Sequence, residues 1–328
     1  MKKYLMPLIV GLCSCAGEQS EVKIIEEDAK IVKVSFADMS DDLQSRMVFD
    51  EKNDFWWKSN DVLGIFPMNI ETKEGKGSQL EFPINLAEGE KKQVAEFEGG
   101  GWAFKGGYSY AAYSPYELMN TRGNKITFSY TNQQRKVDED GFDLIGNTLW
   151  VAPPSTVTDG AINFGFCNVE AFLKIVLTGL SPEKTYKSLS LYAESEVIPQ
   201  KKEYDIFSME VNGSTVTIND KSLSYSNHLT IDLMNASPDS KGEMIVWMAI
   251  PAIGTAYGSF KAVVKDSEDL IFVGDLLYNS TDKPLFARPI ERNKRIGARV
   301  ENFKLSDGFS ASLEGWITDD VEYSGEAE

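Results

Sequence analysis

The sequence contains very little histidine. Among its 328 residues there is a single one, His228. Zinc sites built on HExxH need two histidines, and a Ser–His or Cys–His relay would have to use this one residue. The chain also lacks the GxSxG motif that presents a nucleophilic serine in many hydrolases. We therefore expect a protein that is not an enzyme and that holds no metal and no cofactor.

Basic residues are scarce relative to acidic ones. Lysine and arginine total 33 against 50 aspartates and glutamates, which gives a formal net charge of −17. Binding to a phosphate backbone requires clustered cations that displace counterions, so no nucleic-acid partner is expected. The 18 Phe, 13 Tyr and 6 Trp are too many for a disordered chain. The composition predicts a globular protein, and its length predicts about two domains.

Long apolar runs are absent, and the main apolar stretch near the start is short. Met1-Lys2-Lys3 precedes apolar residues 4–12, a pattern typical of a signal peptide and too short to span a bilayer. The following Leu12-Cys13-Ser14-Cys15 resembles the lipobox of bacterial lipoproteins, in which a small residue precedes the acylated cysteine. We therefore predict that 1–14 is removed, that Cys15 is lipidated and that 15–28 forms a tether. A plain secretory signal is the alternative.

Alternating short stretches dominate the rest of the chain. Val32, Val34 and Phe36 share one face of an extended segment, and polar residues occupy the other, which predicts a half-buried strand. Similar runs recur along the chain, with turn signals between them such as Asn212-Gly213. No capped amphipathic segment exceeds about three helical turns. This pattern predicts an all-β protein whose antiparallel sheets pack as sandwiches.

Two sandwiches in tandem require a boundary. Pro153 and Pro154 lie in the best candidate linker, 151–160, because paired prolines are not expected in a central strand. We place the split near residue 158. The N-terminal sandwich would then comprise 29–157, and the C-terminal sandwich 158–328.

Several blocks in the first half resemble the fimbrillin-like proteins of Bacteroidota, the subunits of type V pili. Residues 55–66 (FWWKSNDVLGIF) are similar to the family's W-x-x-G-D-x-I-G-V-F, and 108–116 (YSYAAYSPY) to Y-x-F-Y-A-Y-Y-P-Y. Trp102 lies between these two blocks. Residues 132–145 are similar to a Q…D-L-M segment, and 164–175 (FGFCNVEAFLKI) to F-x-F-x-H-x-x-A-x-L-x-I. The order of the blocks, over roughly 29–180, identifies the chain as similar to this family.

Two positions depart from the family pattern. Asn60 replaces the usual glycine before the aspartate, and asparagine also tolerates a left-handed turn. Asn168 replaces the common histidine, so a packing role for that imidazole is absent. Neither change affects a reacting group.

The resemblance implies two transthyretin-like sandwiches and assembly by strand exchange. In such proteins an arginine-specific protease cuts after an arginine that follows the first strand. Arg46 is the only arginine before Arg122 and lies in a polar stretch between two alternating runs. The resemblance therefore predicts cleavage between Arg46 and Met47 and release of 29–46. An ordinary surface arginine is the alternative.

The C-terminal tail is the counterpart of the released strand in this family. The resemblance implies that the tail of the next subunit fills the opened groove, and Leu313, Trp316 and Ile317 are the apolar residues available for insertion. A disordered end is the alternative. The implied partners are other pilin subunits, the arginine-specific protease and the outer membrane, reached through a lipid anchor before the protein joins a surface pilus.

The implied function is that of a structural subunit or accessory adhesin of a pilus. A non-polymerising, glycan-binding surface lipoprotein is the alternative. Its sugar platforms would be Trp56, Trp57 or Trp102, although these residues border alternating runs and core packing is favoured for them.

Overall fold

The computed structural model describes most of the chain between residues 31 and 306. The described residues are 31–36, 40–41, 57–59, 61–75, 80–84, 86–98, 104–116, 124–137, 143–144, 148–193, 198–213, 215–256, 260–278, 289–292 and 294–306. All elements assigned in them are strands, which confirms the predicted all-β fold. In this part of the chain no helix has the length and apolar character needed to cross a membrane.

The strands are numbered in chain order. They are β1 (Ile31–Phe36), β2 (Ser40–Asp41), β3 (Trp57–Lys58), β4 (Val62–Asn69), β5 (Leu80–Pro83), β6 (Lys91–Lys92), β7 (Val94–Glu98), β8 (Tyr108–Ser114), β9 (Lys125–Ser129), β10 (Gln133–Gln134), β11 (Lys136–Val137), β12 (Asp143–Leu144), β13 (Trp150–Thr156), β14 (Ala161–Asn168), β15 (Ala171–Leu177), β16 (Tyr186–Ala193), β17 (Ile198–Asn212), β18 (Thr215–Ser226), β19 (His228–Ala236), β20 (Met244–Ile250), β21 (Ile253–Ala256), β22 (Phe260–Asp266), β23 (Ile271–Tyr278), β24 (Pro289–Ile290) and β25 (Lys294–Leu305).

Two large sheets organise the molecule. The first is seven-stranded, with the order β5-β4-β8-β13-β14-β1-β7. The second has nine strands in the order β10-β19-β16-β22-β23-β25-β15-β20, with β2 paired to β25. A three-stranded sheet, β18-β17-β9, and the pairs β11-β12, β21-β24 and β3-β6 complete the fold. Most pairing is antiparallel, as predicted, and the parallel pairs among the described strands are β1–β14, β2–β25, β10–β19 and β15–β25.

Two strands show how the sequence selects these positions. In β14 the apolar residues Ile162, Phe164 and Phe166 are buried and the residues between them, Asn163 and Gly165, are exposed, so this part of the strand has one covered face. The run Ala171–Leu177 of β15 is apolar at almost every position and is buried along most of its length. A continuous apolar run is typical of a strand covered on both faces.

Two hydrophobic cores result, and the one that contains Val32 is called the first core. Several strands contribute to both cores. In β15, Phe172 belongs to the first core and Leu173 to the second. In β4, Ile65 belongs to the first core and Phe66 to the second. Successive residues of a strand point to opposite faces, so one strand can serve two cores. The two cores are therefore connected through shared strands.

The predicted boundary near residue 158 lies in the turn between β13 and β14, which are neighbours in the seven-stranded sheet. The first long strand that the chain contributes to the nine-stranded sheet is β15, which begins at Ala171. Pro153 and Pro154 belong to β13 rather than to a linker. The register of β13 with β8 shifts between Ala152 and Ser155, so the prolines lie at an irregularity where no ladder hydrogen bond requires their missing N–H groups.

Candidate functional site

The first strand fills a gap within the seven-stranded sheet. β1 pairs in parallel with β14, from Ile31↔Ala161 to Phe36↔Phe166. On its other side it pairs antiparallel with β7, from Ile31↔Glu98 to Ser35↔Val94. Among the described strands β7 pairs with β1 alone. We call the gap between β14 and β7 the β1 groove; the strand that fills it also joins β7 to the sheet.

Only one face of β1 is well buried. Val32 and Val34 are 0% exposed and belong to the first core, whereas Ile31 is 42% exposed. Lys33 forms an ion pair with Glu96 at 2.7 Å, and both side chains are largely exposed. Full burial of a valine contributes about 1.5–3 kcal/mol, and an exposed ion pair contributes about 0–1 kcal/mol. Among the described side chains of β1, the two valines therefore contribute most to the attachment of this strand.

The segment after β1 reaches the second large sheet. β2 pairs in parallel with β25, through Ser40↔Lys294 and Asp41↔Arg295. The other side of β25 is occupied there by β15, and the pairing of β25 with β23 begins at Ala298. β2 therefore pairs with the first residues of β25, on the edge that β23 does not reach. As a result, β1 pairs with strands of one large sheet and β2 with a strand of the other.

The predicted processing and donor residues lie outside the described residues. These are Cys15, Arg46, Met47, Leu313, Trp316 and Ile317. β1 and β2 both precede Arg46 in the chain, and the tail follows β25, which ends at Leu305. Lipidation at Cys15, cleavage after Arg46 and strand donation by the tail stay predictions.

Residues of the first family-like block have structural roles. Trp57 is 1% exposed, and its ring packs edge-on against Phe166 with ring centroids 5.1 Å apart. Core packing, the favoured interpretation of Trp57, is confirmed, and a sugar platform at this residue is not possible. Asp61 Oδ2 accepts a hydrogen bond from the Lys58 amide at 2.8 Å, and burial raises the pKa of this carboxyl. Trp56 and Trp102 lie outside the described residues.

Gly64, in the same block, faces Tyr113 across the β4–β8 pair. A Cβ at this position would lie 2.0 Å from the Tyr113 ring. Tyr113 is 0% exposed, so its ring is enclosed by other protein atoms. The glycine is therefore required by the close approach of an aromatic side chain.

The residue that replaces the family histidine stabilises the turn between the two large sheets. Asn168 Nδ2 donates to the Leu149 carbonyl at 3.3 Å, and its Oδ1 accepts from the Glu170 amide at 2.7 Å. Asn168 and Glu170 are both 0% exposed. An amide side chain thus satisfies buried backbone groups where the chain passes from β14 to β15.

A buried polar cluster, which sequence reasoning missed, lies behind this turn. Burial raises the pKa of Glu170 well above its ordinary value, an effect that the nearby positive charge of Lys202 partly opposes. The hydroxyls of Tyr130 and Tyr204 are hydrogen-bonded to each other. Burial also raises the pKa of Tyr204 well above its ordinary value. Burial therefore favours the protonated, uncharged form of the Glu170 carboxyl.

Lys202 connects this cluster to a charged pair nearer the surface. It is 2% exposed, and its Nζ donates to the Ala252 carbonyl at 3.0 Å and to Asp220 Oδ2 at 2.7 Å. Arg292 Nη2 donates to the same carboxylate oxygen. Burial lowers the pKa of Lys202, and the hydrogen bond to Asp220 opposes that change. These residues are far apart in sequence, and no motif marks them.

The single histidine begins β19. His228 Nδ1 lies 3.0 Å from Asn227 Oδ1 and 3.1 Å from Ser226 Oγ, and the ring stacks on Tyr192 with centroids 5.0 Å apart. These contacts agree with the interpretation of His228 as a strand-edge residue. In the described part of the chain, no three His, Cys, Asp or Glu side chains are grouped as a metal site would require. Cys167 is buried, and burial raises the pKa of its thiol to about 11.

Comparisons with known proteins return only solved structures. No protein-family model and no curated protein matches the sequence. A candidate cell adhesion protein from Bacteroides uniformis is 14% identical, with a TM-score of 0.49 over 85% of this chain and 97% of that chain. A fimbrial protein from Bacteroides ovatus is 10% identical (TM-score 0.37, 84% and 49%). The C-terminally truncated tip fimbrial protein Mfa3 from Porphyromonas gingivalis is 12% identical (TM-score 0.39, 85% and 98%).

Proposed function

We propose that this chain is a structural subunit or accessory adhesin of a type V pilus that assembles by strand exchange. The observation that carries the proposal is the position of β1. It is the first described strand of the chain, it pairs on both sides, and among its described side chains Val32 and Val34 are the buried ones. Its removal would leave the edge of β14 without a partner and two apolar pockets open. An unpaired edge with side-chain pockets is what strand addition recognises.

The course of β1 and β2 supports release as one piece. Cleavage after Arg46 would separate both strands from the rest of the chain, since both precede it. The piece would then lose its pairing with β14 and β7 in one sheet and with β25 in the other. Release of the segment would therefore free the edges that β1 occupies in one sheet and that β2 occupies in the other.

The C-terminal tail has the length to follow that path. Residues 31–41 span about 36 Å when extended at about 3.3 Å per residue, and the tail beyond Ser306 is longer than this segment. Leu313 and Ile317 lie on the same face of an extended chain, and Trp316 lies on the other. We propose that the tail of a second subunit enters the β1 groove with its Leu313 and Ile317 face toward the first core.

The proposal includes export as a lipoprotein. Cys15 would carry the lipid and hold the uncleaved precursor at the outer membrane, and an arginine-specific protease would then free it for incorporation into a surface pilus. The tether 15–28 and the strands β1 and β2 would stay with the lipid. The other partners are neighbouring pilin subunits.

Protease treatment of the mature chain tests this proposal. The protein beginning at residue 16 is incubated with an arginine-specific protease, and size-exclusion chromatography and non-reducing gels follow its size. We expect a cut after Arg46 and a ladder of oligomers. The matched control is Arg46→Lys, which should resist the cut at that bond and stay monomeric.

A truncated chain separates cleavage from exchange. Protein ending at Ser306 should be cut after Arg46 but should stay monomeric, because it lacks the donor segment. A wild-type chain that is cut after Arg46 and stays monomeric at every concentration would refute strand exchange. A folded wild-type chain that is never cut at this bond would refute the processing step.

A further inference from the structure

One end of the nine-stranded sheet is an apolar strand. β20 pairs with β15 along Met244–Ile250, and no strand in the described part of the chain forms a ladder with its other side. Its sequence, MIVWMAI, contains no charged residue, no proline and no glycine. Uncharged segments of this length and high β-propensity pair readily with strands of other molecules when their edge is open. The β20 edge therefore needs protection.

Strands at other sheet ends contain residues that discourage such pairing. β5 contains a glutamate and a proline, β7 contains two glutamates, and β18 contains an aspartate and a lysine. Charged side chains and proline on an edge strand disfavour the addition of another chain. Since β20 has neither, another group must cover its outer backbone atoms.

The side-chain amide of Gln133 covers the β20 edge at Ala249. Gln133 Oε1 accepts a hydrogen bond from the Ala249 amide at 2.9 Å, and its Nε2 donates to the Ala249 carbonyl at 3.0 Å. Nε2 also donates to the Tyr130 carbonyl, at 3.2 Å. Gln133 is 2% exposed and Ala249 is 0% exposed. In an antiparallel ladder two opposite residues exchange the same two bonds, so the amide takes the place of a strand at this point.

Gln133 also joins the two ends of the nine-stranded sheet. Its backbone belongs to β10, which pairs in parallel with β19 through Gln133↔Ile231. Its side chain is bonded to β20, at the opposite end of the strand order. β12 lies beside β20 as well, but the ladder of β12 is with β11. The hydrogen bonds of Gln133 thus close the sheet between β10 and β20.

We propose that Gln133 acts as a surrogate strand that prevents the β20 edge from pairing with β20 of a second copy of the chain. A second copy is the partner expected at this edge, because two uncharged strands can pair without like charges opposite each other. The inference rests on the proposed function in one respect: strand exchange is confined to the β1 groove only when other edges are closed. Every residue involved belongs to the uncleaved chain, in which β1 is still in place.

A pair of methionine variants of the uncleaved mature chain tests the inference. Gln133→Met keeps the length of the side chain but cannot donate to the Ala249 carbonyl. The matched control is Gln134→Met, at the adjacent exposed residue. We expect the Ala249 amide of Gln133→Met to exchange its hydrogen roughly tenfold or more faster than in wild type, and the dimer fraction in size-exclusion chromatography to rise by roughly tenfold or more. Gln134→Met should match wild type in both measurements. A folded Gln133→Met that stays monomeric overturns the inference.

A glutamate variant gives a second readout, which decides if Gln133→Met does not fold. Gln133→Glu has nearly the shape of glutamine, and its carboxyl can donate to the Ala249 carbonyl when protonated but not when ionised. We expect more dimer than in wild type at about pH 8 and no excess at about pH 5, where burial favours the protonated form. The same dimer fraction at both pH values overturns the inference. Failure of the cleaved wild-type chain to form oligomers would refute strand exchange and would leave this comparison of uncleaved variants unchanged.

Discussion

β1 and β15 have similar places in their sheets and different side-chain environments. Each lies between one parallel and one antiparallel neighbour. β1 buries Val32 and Val34 on one face and exposes Ile31 to 42%. β15 buries residues on both faces, and its Phe172 and Leu173 enter different cores.

This difference in side-chain burial indicates that an incoming strand could replace β1 more easily than β15. Any incoming strand restores backbone hydrogen bonds, since each residue except proline offers the same N–H and C=O groups. Two-sided burial, in contrast, requires particular side chains in a particular register. β1 combines backbone hydrogen bonds with side-chain burial on one face, whereas β15 combines them with burial on both faces. Substitutions on closely packed and on open faces of the strands test that distinction between one-sided and two-sided burial.

Truncation of a β15 side chain should have the largest effect. Leu173→Ala should lower the free energy of unfolding by about 2–5 kcal/mol, because Leu173 is 0% exposed and the cavity cannot close fully. Urea unfolding followed by tryptophan fluorescence measures the change. A loss below about 1 kcal/mol would contradict the two-sided packing of β15.

An added methyl group tests whether the space beside a glycine in a strand is filled by other side chains. Gly64→Ala should cost about 1–3 kcal/mol, because the new Cβ would collide with the Tyr113 ring. The matched control is Gly165→Ala on β14, opposite Ser35 of β1, where a Cβ meets nothing within 4 Å. We expect that control to stay within about 0.5 kcal/mol of wild type in the same urea assay. Equal losses in the two variants would show that both faces are closed.

Truncation of a β1 valine should have a smaller effect. Val34→Ala removes two buried methyl groups, for an expected loss of about 1.6 kcal/mol in the uncleaved chain. The same variant also tests the proposed exchange. After cleavage at Arg46 and assembly, β1 has left, so urea resistance of the oligomer should equal that of wild-type oligomer. A difference between the two oligomers would mean that β1 stays in place.

The exposed ion pair of β1 should matter least. Lys33→Met should cost no more than about 1 kcal/mol, since both partners are solvated. The loss should shrink further in about 1 M salt, where the Debye length falls to about 3 Å. Thermal unfolding in low and high salt measures it. A loss as large as that of Val34→Ala would contradict the view that the buried valines stabilise β1 more than its exposed ion pair does.

Local patterns predicted the strands well and their partners poorly. The alternation in 31–36 predicted a half-buried strand, and Val32 and Val34 have the predicted burial. The strand's parallel partner, β14, lies more than a hundred residues away, and no local pattern records such a register. Pro153 and Pro154 predict a linker but lie in β13, because the register shift that accommodates them depends on the neighbouring strand β8.

The candidate sites also differ in how far the sequence predicts them. The family-like blocks predict roles for the first strand and for Trp57, because each block consists of residues that are contiguous in sequence. The cluster of Lys202, Asp220 and Arg292 could not be predicted, since its members come from three separate strands and turns. Each of them alone resembles an ordinary surface charge.

The pairing of one short segment with both large sheets has a mechanical consequence. A strand that followed the course of β1 and β2 would lie along its partners, so a pull along the axis of that strand would load its backbone hydrogen bonds in shear. Hydrogen bonds loaded in this direction share the force and must break together, whereas bonds pulled from one end break one after another. The arrangement in which β1 and β2 pair with the two large sheets therefore also resists a pull along the strands.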